Sequence, residues 1–348
     1  MLREIGGRAI GGRSPVFAIA EIGLNHGGSV DRALAMVDAA AAAGASAVKL
    51  QTLIADQLVA PTCPAPAHVS AASLRDFFAA FELTLDAHRT IAARARARGL
   101  AVMTTPFAVD VIPQLETIGF DAYKIASGDL THHPLIDAAA RTGRPVVIST
   151  GMSTLPEVID AVQVTLRAGG TEVGVLHCVS AYPTPVDAQN LRAITTLSDV
   201  LRVPVGLSDH GTGLHAAIAA VTLGATLYER HFVLEDDGEA IDRAVSSTPS
   251  EFAAIVRAMQ QTSLALGDGR KICQPAERPN LAPSRRGLYA ARALHAGDRL
   301  SATDLIALRP AAGFSPADLT ALVGSTLYRA VAAGAAVDAG DLALERAS

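Results

Sequence analysis

Tryptophan is absent from this chain, aromatic residues make up 4% of it, and lysine occurs three times among its 348 residues. Cysteine is as scarce. Cys63, Cys178 and Cys273 are too few and too scattered for a disulfide framework, and no pair has the short spacing of a zinc knuckle. Excess positive charge is missing too: a net charge of −5 does not build the field that a nucleic-acid partner requires. Apolar runs such as 39–43 fall well short of the roughly 20 residues of a membrane span, and the opening MLREIGGRAIGGRSP has no apolar signal-peptide core. These absences describe a cytoplasmic protein with neither a membrane nor a nucleic acid among its partners. With 50% hydrophobic residues the chain builds a large core without disulfides, and its length suits one large domain and a small one.

What is present is alternation. Short apolar runs rich in β-branched residues, at 16–20, 47–51, 100–104, 122–125, 145–149, 173–177, 205–207 and 227–231, alternate with alanine-rich helical stretches. The helical stretches are 30–43, 84–98, 134–141, 156–168, 213–223 and 249–266. Eight strand–helix units fit an α/β fold, the closed parallel (β/α)8 TIM barrel, whose strands are buried on both faces and so read as uniformly apolar. An open doubly wound sheet is the alternative; it usually has fewer strands, and no G-x-G-x-x-G follows the first run. The pattern ends near residue 267, so 1–267 reads as the barrel and the polar, proline-bearing 268–283 as a linker. Residues 284–348 change character and echo themselves, with Ala-Gly-Asp at 296–298 and again at 339–341, which predicts a small β-containing domain. At about 65 residues such a domain is marginal alone and is expected to dock on something.

In a barrel the reactive groups sit where strands end, at the C-terminal face. Those positions here are polar: Glu21 on the first strand, Lys49 and Gln51 on the second, Thr105 on the third, and Lys124, Ser127 and Asp129 on the fourth. Ser149 follows on the fifth, His177, Ser180 and Tyr182 on the sixth, Ser208, Asp209 and His210 on the seventh, and Glu229 and His231 on the eighth. His210 and His231 end strands that are neighbours in a barrel, where two imidazoles share a divalent ion whose shell is completed by water and substrate. Hydrogen-bonded barrel-mouth histidines are the plain alternative. Asp209 either orients His210 or caps the next helix. Lys49 and Lys124 lie in apolar sequence, where a buried ammonium needs an anionic partner. With the hydroxyls of Thr105, Ser127, Ser149 and Ser208 they describe a cradle for phosphate or carboxylate, although each serine alone is more often a turn residue. Glu21 either pairs with a lysine or acts on substrate. Gly27 and Gly28 turn into the first helix, with Ser29 as its cap.

The segments AEIGLNHGGS (20–29), VKLQT (48–52), TTPF (104–107), YKIASGD (123–129), STGMS (149–153), LHCVSAYPTP (176–185), GLSDH (206–210) and ERHF (229–232) follow one another in a familiar order. In them the chain resembles the sialic acid synthase family, the N-acetylneuraminate synthases and their pseudaminic and legionaminic acid relatives. The tail, with RRGLYAARALHAGD and LRPAAGFSP, is similar to that family's antifreeze-like (SAF) domain, so the resemblance covers essentially the full chain. It implies an enzyme that condenses phosphoenolpyruvate with an N-acetylmannosamine-like amino-sugar aldehyde, giving a 2-keto-3-deoxy nonulosonic acid and phosphate. A 6-deoxy-diacetamido hexose is the alternative acceptor.

The resemblance further implies a divalent metal on His210 and His231, manganese with magnesium or cobalt as alternatives, and a catalytic role for Glu21 beside them. It implies phosphoenolpyruvate on Lys49, Thr105, Lys124, Ser127, Ser149 and Ser208, and the sugar on Gln51, Asp129, Tyr182, Asp242 and Arg309. It also implies a domain-swapped homodimer, with Arg309 reaching into the partner's barrel. Departures from the family pattern, Asp129 for glutamate, Ser180 for asparagine, Arg243 beside Asp242, and no asparagine in 60–82, touch the sugar rather than the reaction. Two rivals remain on the residues alone: a metal-free aldolase with Lys49 or Lys124 as Schiff-base lysine, and a non-catalytic sugar-binding protein.

Overall fold

The computed structural model describes residues 2–12, 14–64, 71–238 and 240–343. The chain divides into two compact units, Met1–Gly267 and Asp268–Ser348. In the first, the strands β1 (Phe17–Glu21), β2 (Ala47–Thr52), β3 (Ala101–Pro106), β4 (Ala122–Ile125), β5 (Val146–Ser149), β6 (Val173–Cys178), β7 (Val205–Asp209) and β8 (Leu227–His231) form a closed barrel. Every neighbouring pair is parallel, β8 on β1 included.

A helix follows each strand: α1 (Val30–Ala42), α2 (Leu85–Ala97), α3 (Ile112–Glu116), α4 (His133–Arg141), α5 (Leu155–Arg167), α6 (Ala193–Leu201), α7 (His215–Thr222) and α8 (Pro249–Leu266). Their starts are written locally. Ser29 accepts from Arg32 N, and Thr154 with Glu157 and Thr248 with Glu251 form capping boxes that satisfy first-turn N–H groups. Two helices escape the sequence pattern. α3 has five residues, too few to show a period, and α6 reads AITTLSDVL, whose β-branched residues disfavour helix until packing holds them.

Residues of one parity on each strand face the barrel axis, and those of the other face the helices. Toward the helices lie Ala18, Ala20, Val48, Leu50, Tyr123, Ile125, Ile148 and Val175 in one continuous core. Toward the axis, Phe17, Ile19, Ala47, Ala101, Met103, Ala122, Val147, Leu176 and Leu227 fill the lower interior. An N-terminal hairpin, Glu4–Ile5 against Arg8–Ala9, adds Leu2, Ile5 and Ile10 to that cluster. Its turn needs glycine, since Gly6 and Gly7 have φ of 57° and 74° and a Cβ on Gly6 would meet Ala101 Cβ at 2.7 Å. The axis is therefore packed with apolar side chains below and left open above.

In the second unit, β9 (Gly287–Ala290) pairs antiparallel with β10 (Leu305–Leu308) over a core that includes Leu288, Leu294, Leu300, Leu327, Val331 and Val337. The stretch expected as a linker carries a 3-10 helix, Pro275–Asn280, and runs into the short helix Leu281–Ser284. The internal echo is real but in another register than the two Ala-Gly-Asp triplets suggest. Arg292 Nε donates to Asp304 Oδ1 and Arg329 Nε to Asp341 Oδ1, 12 residues on in both cases. Gly297 and Gly334, with φ of 88° and 76°, occupy matching turns, and Ser301 and Asp338 begin matching capping boxes. Residues 65–70 of the second-strand loop and 344–348 of the tail lie outside the described residues.

Parity also corrects Asp209. It points outward, away from His210, and its carboxylate accepts from Tyr228 OH at 2.7 Å, Arg230 Nη1 at 2.9 Å and Gly211 N at 2.8 Å. It neither orients His210 nor caps α7, which starts at His215. Arg230 is 5% exposed, and burial works against its charge while Tyr228 and Asp209 outweigh it. Asp209→Ala strands that guanidinium, and urea unfolding should show a loss of about 3–5 kcal/mol. Wild-type stability in that variant would mean that the pair does not hold the barrel.

Candidate active site

The upper interior is the polar counterpart of the apolar plug. Inward parity places Glu21, Lys49, Gln51, Thr105, Lys124, Ser149, Cys178, Ser208, Glu229 and His231 around one axis. With Ser127, Ser180, Tyr182 and His210 from the loops they line a cavity of about 400 Å³. Register does the pairing: Glu21 is opposite Lys49 on one side and His231 on the other, Gln51 is opposite Thr105, and Ser208 is opposite Glu229.

The two lysines are not bare. Lys49 Nζ lies 2.5 Å from Glu21 Oε2 and 3.0 Å from Thr105 Oγ1. Lys124 Nζ donates to Glu229 Oε1 at 2.9 Å, and Ser208 Oγ donates to the same oxygen at 2.9 Å. Glu229 Oε2 stands 3.8 Å from Lys49, so two ammoniums and two carboxylates form a buried quartet. Burial works against every charge in it. Glu21 and Glu229 outweigh that for Lys49, whose pKa is raised, whereas burial prevails at Lys124, whose pKa is lowered. Glu229 is held down to about 2, its desolvation outweighed by Lys124 and Lys49. Glu229 was visible as a strand-end residue without a role; its inward parity with His231, two residues on, is the signal that places it.

His210 and His231 stack at one edge of the cavity, ring centroids 5.4 Å apart, with Tyr182 4.3 Å above His210. Burial, and then His231, pull the His210 pKa down to about 4, so its imidazole is neutral at pH 7. The fit to a divalent ion rests on the far nitrogens. His210 Nδ1 faces Val179 O at 3.3 Å, and His231 Nδ1 lies 3.2 Å from Asp242 Oδ2, off the direction of a linear hydrogen bond. Both arrangements leave Nε2 as the ligand, as in carboxylate–histidine–metal and carbonyl–histidine–metal pairs. Among the described residues no group of three or more His, Cys, Asp and Glu converges on one point, so a bound ion would take the rest of its shell from water and substrate.

Asp242 stands behind His231 rather than on the cavity wall. Asn25 positions it, accepting from Asp242 N at 2.9 Å while donating to Phe232 O and Ser246 Oγ. Asp129 lies on the turn Ser127–Asp129, half-buried and likewise off the wall, where burial raises its pKa. Arg309 belongs to the second unit, exposed and without an ion pair among the described residues. Ser127 Oγ accepts from Gly151 N at 3.0 Å, and a Cβ on Gly151 would fall 2.1 Å from Ser180 Oγ. Cys178, Ser180, Met152 and Phe107 line the cavity without having been assigned a part in it.

Gly23 sets the floor beside His231. Its φ is 52°, and a Cβ would stand 3.2 Å from Asp242 Oδ2 and 3.3 Å from both Glu21 Oε1 and His231 Nδ1. Gly23→Ala should displace the Asp242–His231 pair and weaken divalent-ion binding, followed by calorimetry, by about tenfold or more. Unchanged affinity would show that the spacing has slack.

A family model described as the NeuB family matches residues 36–271, and one described as the SAF domain matches 285–343. An uncharacterized protein of Methanocaldococcus jannaschii is 36% identical over 310 residues, 89% of each chain. N,N'-diacetyllegionaminic acid synthase of Legionella pneumophila is 34% identical over 342 residues, 95% of this chain and 96% of its own. Among solved structures, the N-acetylneuraminic acid (sialic acid) synthetase of Leptospira borgpetersenii, in complex with citrate, is 32% identical with a TM-score of 0.72 over 80% of this chain and 94% of its own.

Proposed function

The chain belongs to the NeuB family, and on that premise we propose that its barrel mouth joins phosphoenolpyruvate to an amino-sugar aldehyde, forming a 2-keto-3-deoxy sugar acid and phosphate. The observation that carries the reading is a single cavity lined by two buried lysines, several hydroxyls and two histidines. Lys49, Thr105, Lys124, Ser127, Ser149 and Ser208 hold the phosphate and carboxylate of phosphoenolpyruvate, which removes the entropy of encounter before reaction. Ser149 Oγ is buried without a partner among the described residues, a donor available to such a ligand. Gln51 and Tyr182, on the cavity wall, hold the sugar, with Asp129 and Asp242 set behind that wall.

C3 of phosphoenolpyruvate attacks the aldehyde carbon, forming the carbon–carbon bond and leaving a cation at C2. Water adds at C2, and Glu21 takes its proton on a carboxylate oxygen. Glu21 passes that proton to the former aldehyde oxygen, which ends as a hydroxyl; the tetrahedral intermediate then loses phosphate by C–O cleavage, and the remaining C2 hydroxyl proton leaves with it as the ketone forms. A divalent ion held by His210 and His231, manganese in our reading, would supply Lewis acidity toward the aldehyde oxygen.

The acceptor is an N-acetylmannosamine-like sugar, or a 6-deoxy-diacetamido hexose as the legionaminic acid synthase relative suggests. The same proposal includes a cytoplasmic location, a small domain at 284–348 after a linker at 268–283, and a domain-swapped homodimer in which Arg309 completes the partner's site. No helix among the described residues is long and apolar enough to cross a membrane. A Schiff-base aldolase needs an uncharged lysine; Lys49 is held charged by Glu21, and both lysines are ion-paired.

Phosphate release from phosphoenolpyruvate with manganese, across a panel of hexosamines and diacetamido sugars, tests the reaction. His210→Ala and His231→Ala should abolish release while circular dichroism stays native. Full activity in chelator would rule out the metal, and borohydride trapping of pyruvate would point to the aldolase. Arg309→Ala should raise KM for the sugar more than KM for phosphoenolpyruvate; equal effects would remove it from the sugar site.

A further inference from the structure

We infer that Glu229 is a positioning residue: its carboxylate pre-sets Lys124 and Ser208 in the geometry that receives phosphoenolpyruvate, an inference that rests on the substrate reading above. Glu229 is 4% exposed at the middle of the cavity wall. Its Oε1 accepts from Lys124 Nζ and from Ser208 Oγ, each at 2.9 Å, and its Oε2 faces Lys49 Nζ at 3.8 Å. It therefore adjoins three of the six groups assigned to the phosphate and carboxylate of the substrate.

The need for such a residue follows from the side chains it holds. A lysine carries about 2 kcal/mol of rotamer entropy on a four-carbon stem, and a serine hydroxyl rotates to suit any acceptor. Strand register sets where Lys124 and Ser208 begin but not where their polar atoms end. A carboxylate on β8, beside Ser208 of β7 and across the axis from Lys124 of β4, sets both at once. It also opposes the burial that pulls Lys124 toward its uncharged form, and of the groups acting on Lys124 it is the strongest in that direction. Glu229 repels an anionic substrate, so its contribution is order and retained charge rather than attraction. Glu21 plays the matching part for Lys49, but it also accepts from Nε2 of Gln51, a residue assigned to the sugar, at 3.1 Å, which leaves Glu229 dedicated to the anion.

Four forms of the full chain decide this: wild type, E229Q, K124M and K124M/E229Q. Each is titrated with phosphoenolpyruvate by calorimetry, assayed for KM of both substrates, and checked by circular dichroism and thermal unfolding. E229Q should weaken phosphoenolpyruvate binding by about tenfold or more, with the acceptor KM unchanged within about twofold. In the K124M background the same substitution should weaken binding by clearly less than it does in the wild type, because one of the two groups through which it acts is gone. Wild-type affinity in folded E229Q, parallel loss for both substrates, or a second tenfold loss in the K124M background overturns the inference. Should E229Q fail to fold, the two K124M forms still decide, since removing a buried pair as a unit is tolerated better than breaking it. A wild-type protein that binds no phosphoenolpyruvate overturns the functional reading instead.

Discussion

A closed parallel barrel imposes one constraint on every strand: each side chain faces either the axis or the helices, with nothing between. Along the inward parity of this barrel, Phe17, Ile19 and Glu21 follow one another on β1, Ala47, Lys49 and Gln51 on β2, and Leu227, Glu229 and His231 on β8. The apolar members form the plug with the N-terminal hairpin, and the polar members form the site. Stability and chemistry are thus two ends of the same rows. The outward parity carries charge at Asp209 and Arg230, which pair with each other while Tyr228 donates to the same carboxylate.

The same constraint explains why the cavity holds a neutral quartet. Lysine at an inward position near the axis is cut off from water, and an unpaired ammonium there costs several kcal/mol. Carboxylates offset that cost, Glu21 from the adjacent strand for Lys49 and Glu229 from across the axis for Lys124. The pairs also order the groups that later meet substrate. The histidines are built by another rule: His210 Nδ1 faces Val179 O and His231 Nδ1 lies beside Asp242, which leaves Nε2 of each as the ligand nitrogen.

Much of this was legible in the chain. The eight apolar runs match the strands within a few residues, because a strand buried on both faces leaves a uniform signal. Lys49, Lys124, Ser208, His210 and His231 stood out as polar residues at the ends of such runs, and the cavity gathers them. Asp209 was misread for a physical reason. Adjacent residues at a strand end look alike in sequence, yet they point to opposite sides of the sheet. Glu229 was seen but given no task, since which carboxylate meets which lysine depends on barrel closure, which brings β8 across the axis from β4, strands far apart in sequence. The helix α6 was missed because its own preferences oppose the conformation that packing gives it.

The sequence by itself determined the periodic run of strands and helices, the scarcity of lysine that makes two buried ammoniums conspicuous, and the motifs of the family. These are local or ordered along the chain, so no folding is needed to read them. Tertiary structure alone decided the pairing of Glu21 with Lys49 and Glu229 with Lys124, the outward turn of Asp209 and the retreat of Asp242 behind His231. Those depend on closure of the barrel, which brings β8 against β1 and fixes which side chains share the dry interior.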